Sequence, residues 1–240
     1  MYQPRIYRDF KITKELYPFR VIAKESDLYI KAEKNLKKQA LELLLKYRLQ
    51  IEDYIRRYPE FFSTLKPIKF DPFAPPIIKT MLNASKIAEV GPMASVAGAL
   101  AEFVGKDLMP FSQRIIVENG GDIFINIQNE INVGIHTPES SIGEKIGIKV
   151  SPEKMPLGIC TSSGTIGHSL SLGKSDAVCV ISSSTPLADA AATSIANRIR
   201  NKNDIYSAIE FGKNFKGISG IVIIFEKNLG SWGDVELVKF

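Results

Sequence analysis

Asp189 and Thr193 are the residues of this 240-residue chain whose types and spacing most directly suggest chemistry. They stand four positions apart in "SSSTPLADAAATSIANRI" (182–199), so a helix would place the carboxylate and the hydroxyl on one face. We predict that Thr185 caps this helix, that Pro186 begins it, and that Asp189 lies in its first turn. Carboxylate and hydroxyl oxygens suit Mg²⁺ when a phosphate and waters complete its shell. Alternatively, Asp189 only improves the helix start and Thr193 fills a gap.

A second polar concentration is "CTSSGTIGHSLSLG" (160–173). Its hydroxyls and mobile backbone N–H groups could cradle a phosphate, although an exposed loop has the same composition. Of the two histidines, His168 lies inside this loop and is the better functional candidate, whereas His136, beside Pro138 at a strand end, is more typical of a structural or exposed position. The candidate catalytic residues are His168 and Ser163, and the candidate binding residues here are Thr161, Ser162 and Gly164.

The stretch "VENGGDIF" contains a Gly-Gly turn followed by an acid, Asp122. Gly120 and Gly121 let the backbone adopt positive φ and let another group approach closely, so the turn is either a ligand site or a plain hairpin. The two cysteines, Cys160 and Cys179, lie in apolar or small-residue runs, where a buried thiol is more typical than a nucleophile. Because no CxxC or HxxxH spacing occurs, a zinc site is not expected.

Composition indicates an ordinary globular protein, with 45% hydrophobic and 24% charged residues. The net charge of +5 arises in residues 1–90, which hold 18 Lys and Arg against 11 Asp and Glu. These charges are scattered along a helical segment, which favours a solvated face over a nucleic-acid patch. Since the longest apolar runs are too short for a membrane span and the N-terminus has no apolar signal core, we expect a cytoplasmic protein.

Hydrophobic periodicity predicts the helices and strands that must position these residues. Residues 19–33 form a hairpin, residues 34–58 the longest helix, and residues 76–88 a second helix. A turn at Gly91–Pro92 leads into a closely packed helix from about Met93. Short strands follow, with the 185–199 helix and a helix at 203–215 between them, and "NLGSWG" joins two closing strands. This order predicts an α+β fold with a mainly antiparallel sheet flanked by helices.

Five short motifs, in order, resemble those of the ApbE-like superfamily, the FAD:protein FMN transferases. The resemblance covers roughly residues 75–200, and each motif alone is weak. The motifs are "GPMAS" (91–95), "ENGGDI" (118–123), "INVGIHTP" (131–138), "CTSSG" (160–164) and "ADAAATS" (188–194). The resemblance implies a single ApbE-like (T-fold-related) domain over residues 1–240, with the hairpin and long helix of residues 1–74 packed on it.

The resemblance also implies a metal site. In the family the Asp and Thr of the last motif and a backbone carbonyl of the first motif bind Mg²⁺, which contacts the FAD pyrophosphate. Carried over to this sequence, the ligands are Ala94, Asp189 and Thr193, and the expected cofactors are Mg²⁺ and FAD or FMN. A small nucleotide or flavin is the expected partner, without nucleic acid or membrane, and the sequence leaves a homo-oligomer open.

Two departures from the family pattern keep the function open. Ser95 stands where the family has Lys, and only about 25 residues separate the last two motifs, without the D-P-x-T-G segment. The first hypothesis is an Mg²⁺-dependent enzyme that cleaves FAD or transfers FMN. The second is a flavin-, pterin- or nucleotide-binding protein without turnover. A third is a structural subunit whose glycines serve packing alone.

Overall fold

The computed structural model of the chain describes residues 16–135, 137, 146–163 and 173–239. Its helices and strands follow the predicted order closely. The helices are Lys37–Arg57 (α1), Glu60–Ser63 (α2), Pro76–Ala88 (α3), Val96–Leu108 (α4), Thr185–Ala196 (α5) and Asp204–Gly212 (α6). The strands are Tyr17–Ala23 (β1), Ser26–Ala32 (β2), Ile115–Asn119 (β3), Asp122–Asn126 (β4), Ile131–Gly134 (β5), Ile146–Val150 (β6), Leu157–Ser162 (β7), Ala177–Ser182 (β8), Ile218–Phe225 (β9), Asn228–Gly233 (β10) and Glu236–Lys239 (β11).

The described strands form two antiparallel sheets. The large sheet has the order β1-β2-β3-β4-β7-β8-β9-β10, and the small one has the order β11-β6-β5. Neighbouring strands pair antiparallel in both sheets, as in the pairing of β4 with β7. The predicted α+β class with a mainly antiparallel sheet is therefore confirmed, and the long N-terminal helix is present as α1.

The large sheet is buried on both faces, which explains its nearly continuous apolar strands. One face carries the helices, so that Val117, Phe124 and Val180 point into clusters formed with α1 and α3–α6. The other face packs on the small sheet, through side chains such as Ile125 and Ile181. The molecule is thus layered as helices, large sheet and small sheet, and the helix α5 lies on β7 and β8.

The segment between α3 and α4 contains two sharp changes of direction. Glu89 ends α3 with a left-handed φ of 59°, and the residues Pro92–Ser95 form a 3₁₀ turn before α4 begins at Val96. A Cβ at Gly91 would lie 1.9 Å from the Thr64 carbonyl oxygen, so only glycine allows the chain to pass there. This turn carries Ala94 to the α4 end that faces α5.

Three details of the sequence interpretation were wrong. The stretch "NLGSWG" is strand β10, paired with β9, and Trp232 packs partly buried against the cluster beneath α6. Ser184 rather than Thr185 is the N-cap of α5, although its side chain makes no capping hydrogen bond. Asp189 consequently lies beyond the first turn of α5, so its carboxylate does not serve the start of its own helix.

Candidate functional site

The carboxylate of Asp189 reaches a different helix, the N-terminus of α4. Its Oδ2 atom accepts a hydrogen bond of 2.9 Å from the backbone N–H of Gly98, and the N–H of Ala97 also donates to this carboxylate. Gly98 and Ala97 lie in the first turn of α4, where backbone N–H groups have no partner within the helix. Asp189 therefore caps α4 from outside, and it brings a negative charge to the positive end of that helix.

The carboxylate of Glu102 serves α5 in the same way. Its Oε2 atom accepts a 2.6 Å hydrogen bond from the backbone N–H of Thr185, and its Oε1 atom accepts one of 2.6 Å from the Lys106 ammonium. Glu102 is buried. Each helix thus supplies a carboxylate to the N-terminus of the other: Asp189 of α5 to α4, and Glu102 of α4 to α5.

Small residues let the two helices come this close. A Cβ at Gly98 would lie 2.6 Å from the Thr185 carbonyl oxygen and 2.9 Å from Asp189 Cβ. On the sheet side, a Cβ at Gly158 of β7 would lie 2.5 Å from Thr185 Cα. The alanines of α5 are also fully buried, as expected for a helix packed on several sides: Ala188, Ala190, Ala191, Ala192 and Ala196.

The environment of Asp189 disfavours its charge. Burial raises the pKa of the Asp189 carboxyl to about 7, while the N–H groups of Gly98 and Ala97 act in the opposite direction. Part of the Asp189 residue surface remains accessible to water. No cationic side chain is among the causes of the shift, so the carboxylate would be stabilised by an added cation.

A second acid, Asp122, lies close to the same place. It is the first residue of β4, opposite Cys160 of β7, and it is buried. The pKa of the Cys160 thiol is raised, first by burial and then by the negative charges of Asp122 and Asp189. The thiol can donate its single hydrogen either to Asp122 or to the Thr185 carbonyl oxygen, which lies 3.4 Å from the sulfur. The carboxylates of Asp122 and Asp189 thus both lie near the Cys160 thiol.

The predicted Gly-Gly turn joins β3 to β4 beside the start of α4. Gly120 and Gly121 have φ values of 71° and 104°, which explains their identity. The Gly121 N–H donates to Glu118 Oε1 at 3.0 Å, and the Asn119 side-chain amide donates to the Ala97 carbonyl at 3.1 Å. The turn, Asp122 and the α4 N-terminus therefore form one connected region.

The end of β7 supplies the hydroxyl residues. Thr161 is partly buried, and its carbonyl oxygen is 3.7 Å from where a Gly121 Cβ would be. Ser162 is buried, and its hydroxyl has no hydrogen-bond partner in the part of the chain that the structure describes. Ser163 is partly buried. Gly164 and His168 lie outside the described residues, as does His136.

The two remaining predicted metal ligands lie on α5 and on the 3₁₀ turn before α4. Thr193 is buried on α5, one turn after Asp189, and its backbone carbonyl accepts the Asn197 N–H. Ala94 is partly buried in the 3₁₀ turn, which packs against α5. Convergence of Ala94, Asp189 and Thr193 on a single cation stays a prediction.

Ser95 is the position for which the resemblance implied a lysine. It is fully buried, and its hydroxyl donates to the Pro92 carbonyl at 2.7 Å, which closes the 3₁₀ turn. A side chain held in this way brings no positive charge to the site. The position therefore supports the turn and cannot substitute chemically for lysine.

Sequence reasoning missed Glu102 and Gly98. A signal for Glu102 was present, because it is a lone acid in the apolar stretch "AGALAEFVG", where a buried charge needs a partner. Nothing in the sequence identified Thr185 as that partner. In the described ranges, no group of three or more His, Cys, Asp or Glu side chains could hold a metal. A cation here would need hydroxyl and carbonyl oxygens besides Asp189.

No single helix among the described residues is long and apolar enough to cross a membrane. The segments Pro76–Ala88 and Pro92–Leu108 together have the length and apolar composition of a membrane span, but the angle between them is 105°.

Comparison with known proteins defines the family. The model of the family described as "AbpE bacteria" matches residues 11–229, so the chain belongs to this family. The UPF0280 protein of Methanocaldococcus jannaschii is 40% identical over 92% of each chain. The UPF0280 protein of Methanothermobacter thermautotrophicus is 40% identical over 85% of this chain and 81% of its own.

Solved structures show the same fold at low sequence identity. A mutant form of the flavin transferase ApbE from Vibrio cholerae has a TM-score of 0.56 at 12% identity, covering 91% of this chain and 97% of its own. The ApbE protein of Thermotoga maritima has a TM-score of 0.54 at 11% identity, covering 90% and 96%. The resemblance to the ApbE-like superfamily that the motifs indicated is therefore confirmed for the fold.

Proposed function

We propose that this chain binds Mg²⁺ and a flavin nucleotide where α4, α5 and the β3–β4 turn meet. The observation that carries the proposal is the Asp189 carboxylate, held at the N-terminus of α4 just after the turn that contains Ala94. The similarity in fold to proteins named flavin transferases supports the choice of a flavin as the ligand.

The residues present fit a magnesium ion. Asp189 offers a carboxylate, Thr193 a hydroxyl and Ala94 a backbone carbonyl, which are the hard oxygen ligands that Mg²⁺ prefers. No side-chain cation is among the causes of the Asp189 pKa shift, so a cation bound here would compensate a buried carboxylate that has only backbone N–H partners among those causes. When bound, Mg²⁺ would neutralise charge on the diphosphate as the bond to AMP breaks.

The residues of the chain would act mainly by binding and orienting the diphosphate. Asp189 already accepts the N–H groups at the start of α4, so the diphosphate would be drawn to the cation rather than to this helix end, and Gly120 and Gly121 would let it approach the backbone of the β3–β4 turn. Thr161, Ser162 and Ser163 are candidate donors to phosphate oxygens, with Asp122 orienting the turn. Water attack at the pyrophosphate would give FMN and AMP, whereas attack by a threonine hydroxyl of an acceptor protein would give a covalent FMN ester and AMP. His168 and Ser163 remain the candidates for proton transfer.

One observation favours a second candidate, a flavin- or nucleotide-binding protein without turnover. Ser95 is buried and closes its own turn, so this position supplies no positive charge in place of the lysine of the transferase pattern. Loss of that positive charge removes stabilisation from the reacting phosphate but leaves the Asp189 region intact.

The test is to incubate the protein with FAD, with and without Mg²⁺, and to measure AMP and FMN by chromatography. A threonine-containing acceptor domain is added in parallel, and covalent flavin is measured by in-gel fluorescence. We expect Mg²⁺-dependent FAD binding with AMP release that does not require the acceptor. The matched variants are Asp189→Asn, which should lose Mg²⁺ dependence, and Asp53→Asn, which changes an exposed carboxylate of α1 and should behave as wild type.

The outcomes separate the candidates. Mg²⁺-dependent FAD binding without AMP release would favour the protein without turnover. Efficient covalent flavinylation would show that transfer does not need a lysine at position 95. If no FAD, FMN or other nucleotide binds at millimolar concentration, the similarity is limited to the fold.

A further inference from the structure

The long helix α1 has a second apolar face. Its buried face consists of Ala40, Leu44, Tyr47, Ile51 and Tyr54, which pack into the helical layer. On another side, three leucines spaced four residues apart are exposed to solvent: Leu41 by 36%, Leu45 by 52% and Leu49 by 55%. We call these three residues the leucine stripe. Isolated exposed leucines are ordinary, whereas these three follow one helix side for two turns.

The charges at the two ends of the stripe have opposite sign. Lys38 lies seven residues before Leu45 and Glu52 seven residues after it, so the three side chains share one line along the helix. Lys38 is exposed, and Glu52 keeps 34% of its side chain accessible. Glu52 already forms ion pairs with Lys24 and Arg48 of its own copy, so its end of the stripe is a mixed cluster, and reversing one copy places Lys38 beside that cluster instead of beside a second Lys38.

We propose that the leucine stripe pairs with the same stripe of a second copy of this chain, with the two α1 helices antiparallel and a two-fold axis passing by Leu45. In this arrangement Leu45 meets its own equivalent, and Lys38 of each copy lies opposite Glu52 of the other. A parallel pairing would place Lys38 against Lys38 and Glu52 against Glu52, which like-charge repulsion disfavours. The antiparallel contact is isologous and therefore closes as a dimer.

The energetics predict a weak dimer. The 21 residues of α1 give a helix about 30 Å long, and a single helix pair buries less than the roughly 800 Å² per partner of a standard interface. Glu52 already holds Lys24 and Arg48 of its own copy at 2.7 and 2.9 Å, so Lys38 would join a mixed cluster. The leucines thus supply most of the affinity, and the charges decide the orientation.

The first test is sedimentation velocity of the full chain over a concentration series at low and moderate salt. We expect a monomer–dimer equilibrium for wild type. Leu45→Arg should weaken association at least about tenfold, because two like charges would meet on the axis. Leu65→Arg, at a leucine that is 61% exposed in the segment between α2 and α3, is the matched control and should leave it unchanged. A wild-type protein that stays monomeric at several hundred micromolar overturns the proposal, as does a monomer that instead co-sediments with anionic vesicles.

Cysteine cross-linking tests the orientation, and the natural cysteines do not interfere because both are buried. Leu45→Cys should form a disulfide dimer with itself, since facing positions of paired helices come within disulfide range. A mixture of Lys38→Cys and Glu52→Cys proteins should form heterodimers, whereas neither should form a dimer alone. Cross-linking of Lys38→Cys with itself would indicate a parallel pair and overturn the antiparallel arrangement. These readouts do not depend on metal or flavin binding.

Discussion

Asp189 of α5 and Gly98 of α4 are joined by an N–H···O hydrogen bond of 2.9 Å, and a Cβ at Gly98 would come within 2.9 Å of Asp189 Cβ. The backbone N–H of Gly98 thus binds the Asp189 carboxylate, and the missing side chain of Gly98 leaves the space that Asp189 needs. Asp189 lies on α5 among buried alanines, and its carboxylate places a negative charge at the N-terminus of α4. The same contact explains why this part of the fold combines small residues with a carboxylate.

The raised pKa of Asp189 predicts a pH dependence of stability in metal-free protein. The pKa is about 7 in the folded state and near 3.9 when unfolded, so the folded state binds the proton more tightly. The contribution of this tighter proton binding to the unfolding free energy is complete below pH 4 and is lost as the pH rises towards 7. Relative to Asp189→Asn, wild type should lose up to a few kcal/mol of unfolding free energy across this window, measured by urea denaturation with EDTA.

Two controls accompany this experiment. Asp53→Asn should follow wild type at every pH, because Asp53 lies at the surface beside Arg56. Millimolar Mg²⁺ at pH 8 should raise the unfolding free energy of wild type but not that of Asp189→Asn. A stability difference between wild type and Asp189→Asn that does not change between pH 4 and 7 would contradict the burial argument.

Gly98→Ala tests the close approach of α4 and α5. The added methyl group would overlap the Thr185 carbonyl oxygen at 2.6 Å, and a backbone oxygen in a packed helix cannot move aside cheaply. We expect a loss of about 1–3 kcal/mol of unfolding free energy, measured by thermal or urea denaturation, together with weaker metal binding. Ala97→Gly, one residue earlier on the same helix, should cost less than 1 kcal/mol. Equal stability of Gly98→Ala and wild type would show that the helices can separate without penalty.

Much of the fold was predictable because each element has a local signal. Periodic apolar residues located α1 and α3, and small residues after Pro186 located α5. Strand β10 was missed because its glycines resemble a turn, whereas in the structure Gly230 leaves room for Ile205 and Ile209 of α6. That reason for a glycine lies in tertiary packing, which no local pattern records.

The candidate site was only partly predictable. The acid and its helix were identified, but Asp189 was placed at the start of its own helix, and the structure shows it at the start of α4. The exchange of carboxylates between α4 and α5 depends on how two distant segments pack, since Glu102 and Thr185 are 83 residues apart. Sequence spacing can find an unpaired acid, but it cannot name a partner that the fold supplies.

The cysteines should be inert in the folded protein. Burial raises the pKa of Cys179 to about 12, and burial together with the nearby carboxylates raises that of Cys160. The thiolate that reacts with alkylating agents is therefore scarce and shielded. Iodoacetamide at pH 8 should leave both thiols unmodified by mass spectrometry until denaturant is added. Rapid labelling of Cys160 in native protein would instead identify it as an accessible nucleophile beside Asp122.

Glu102 should be a positioning residue for Asp189 and Thr193, since it fixes the first turn of the helix that carries both. Glu102→Ala would leave the Thr185 N–H and the space around it unfilled, at a cost of about 1–3 kcal/mol, and should weaken Mg²⁺ binding. Glu102→Gln keeps a carbonyl acceptor for Thr185 and should recover most of the metal affinity while losing the Lys106 ion pair. Lys106→Met removes only that exposed partner and should leave Mg²⁺ binding unchanged. Titration calorimetry with Mg²⁺ measures the metal affinity, and urea denaturation measures the stability. If Glu102→Ala lowers the stability but leaves the metal affinity as in wild type, Glu102 supports the fold without positioning the site.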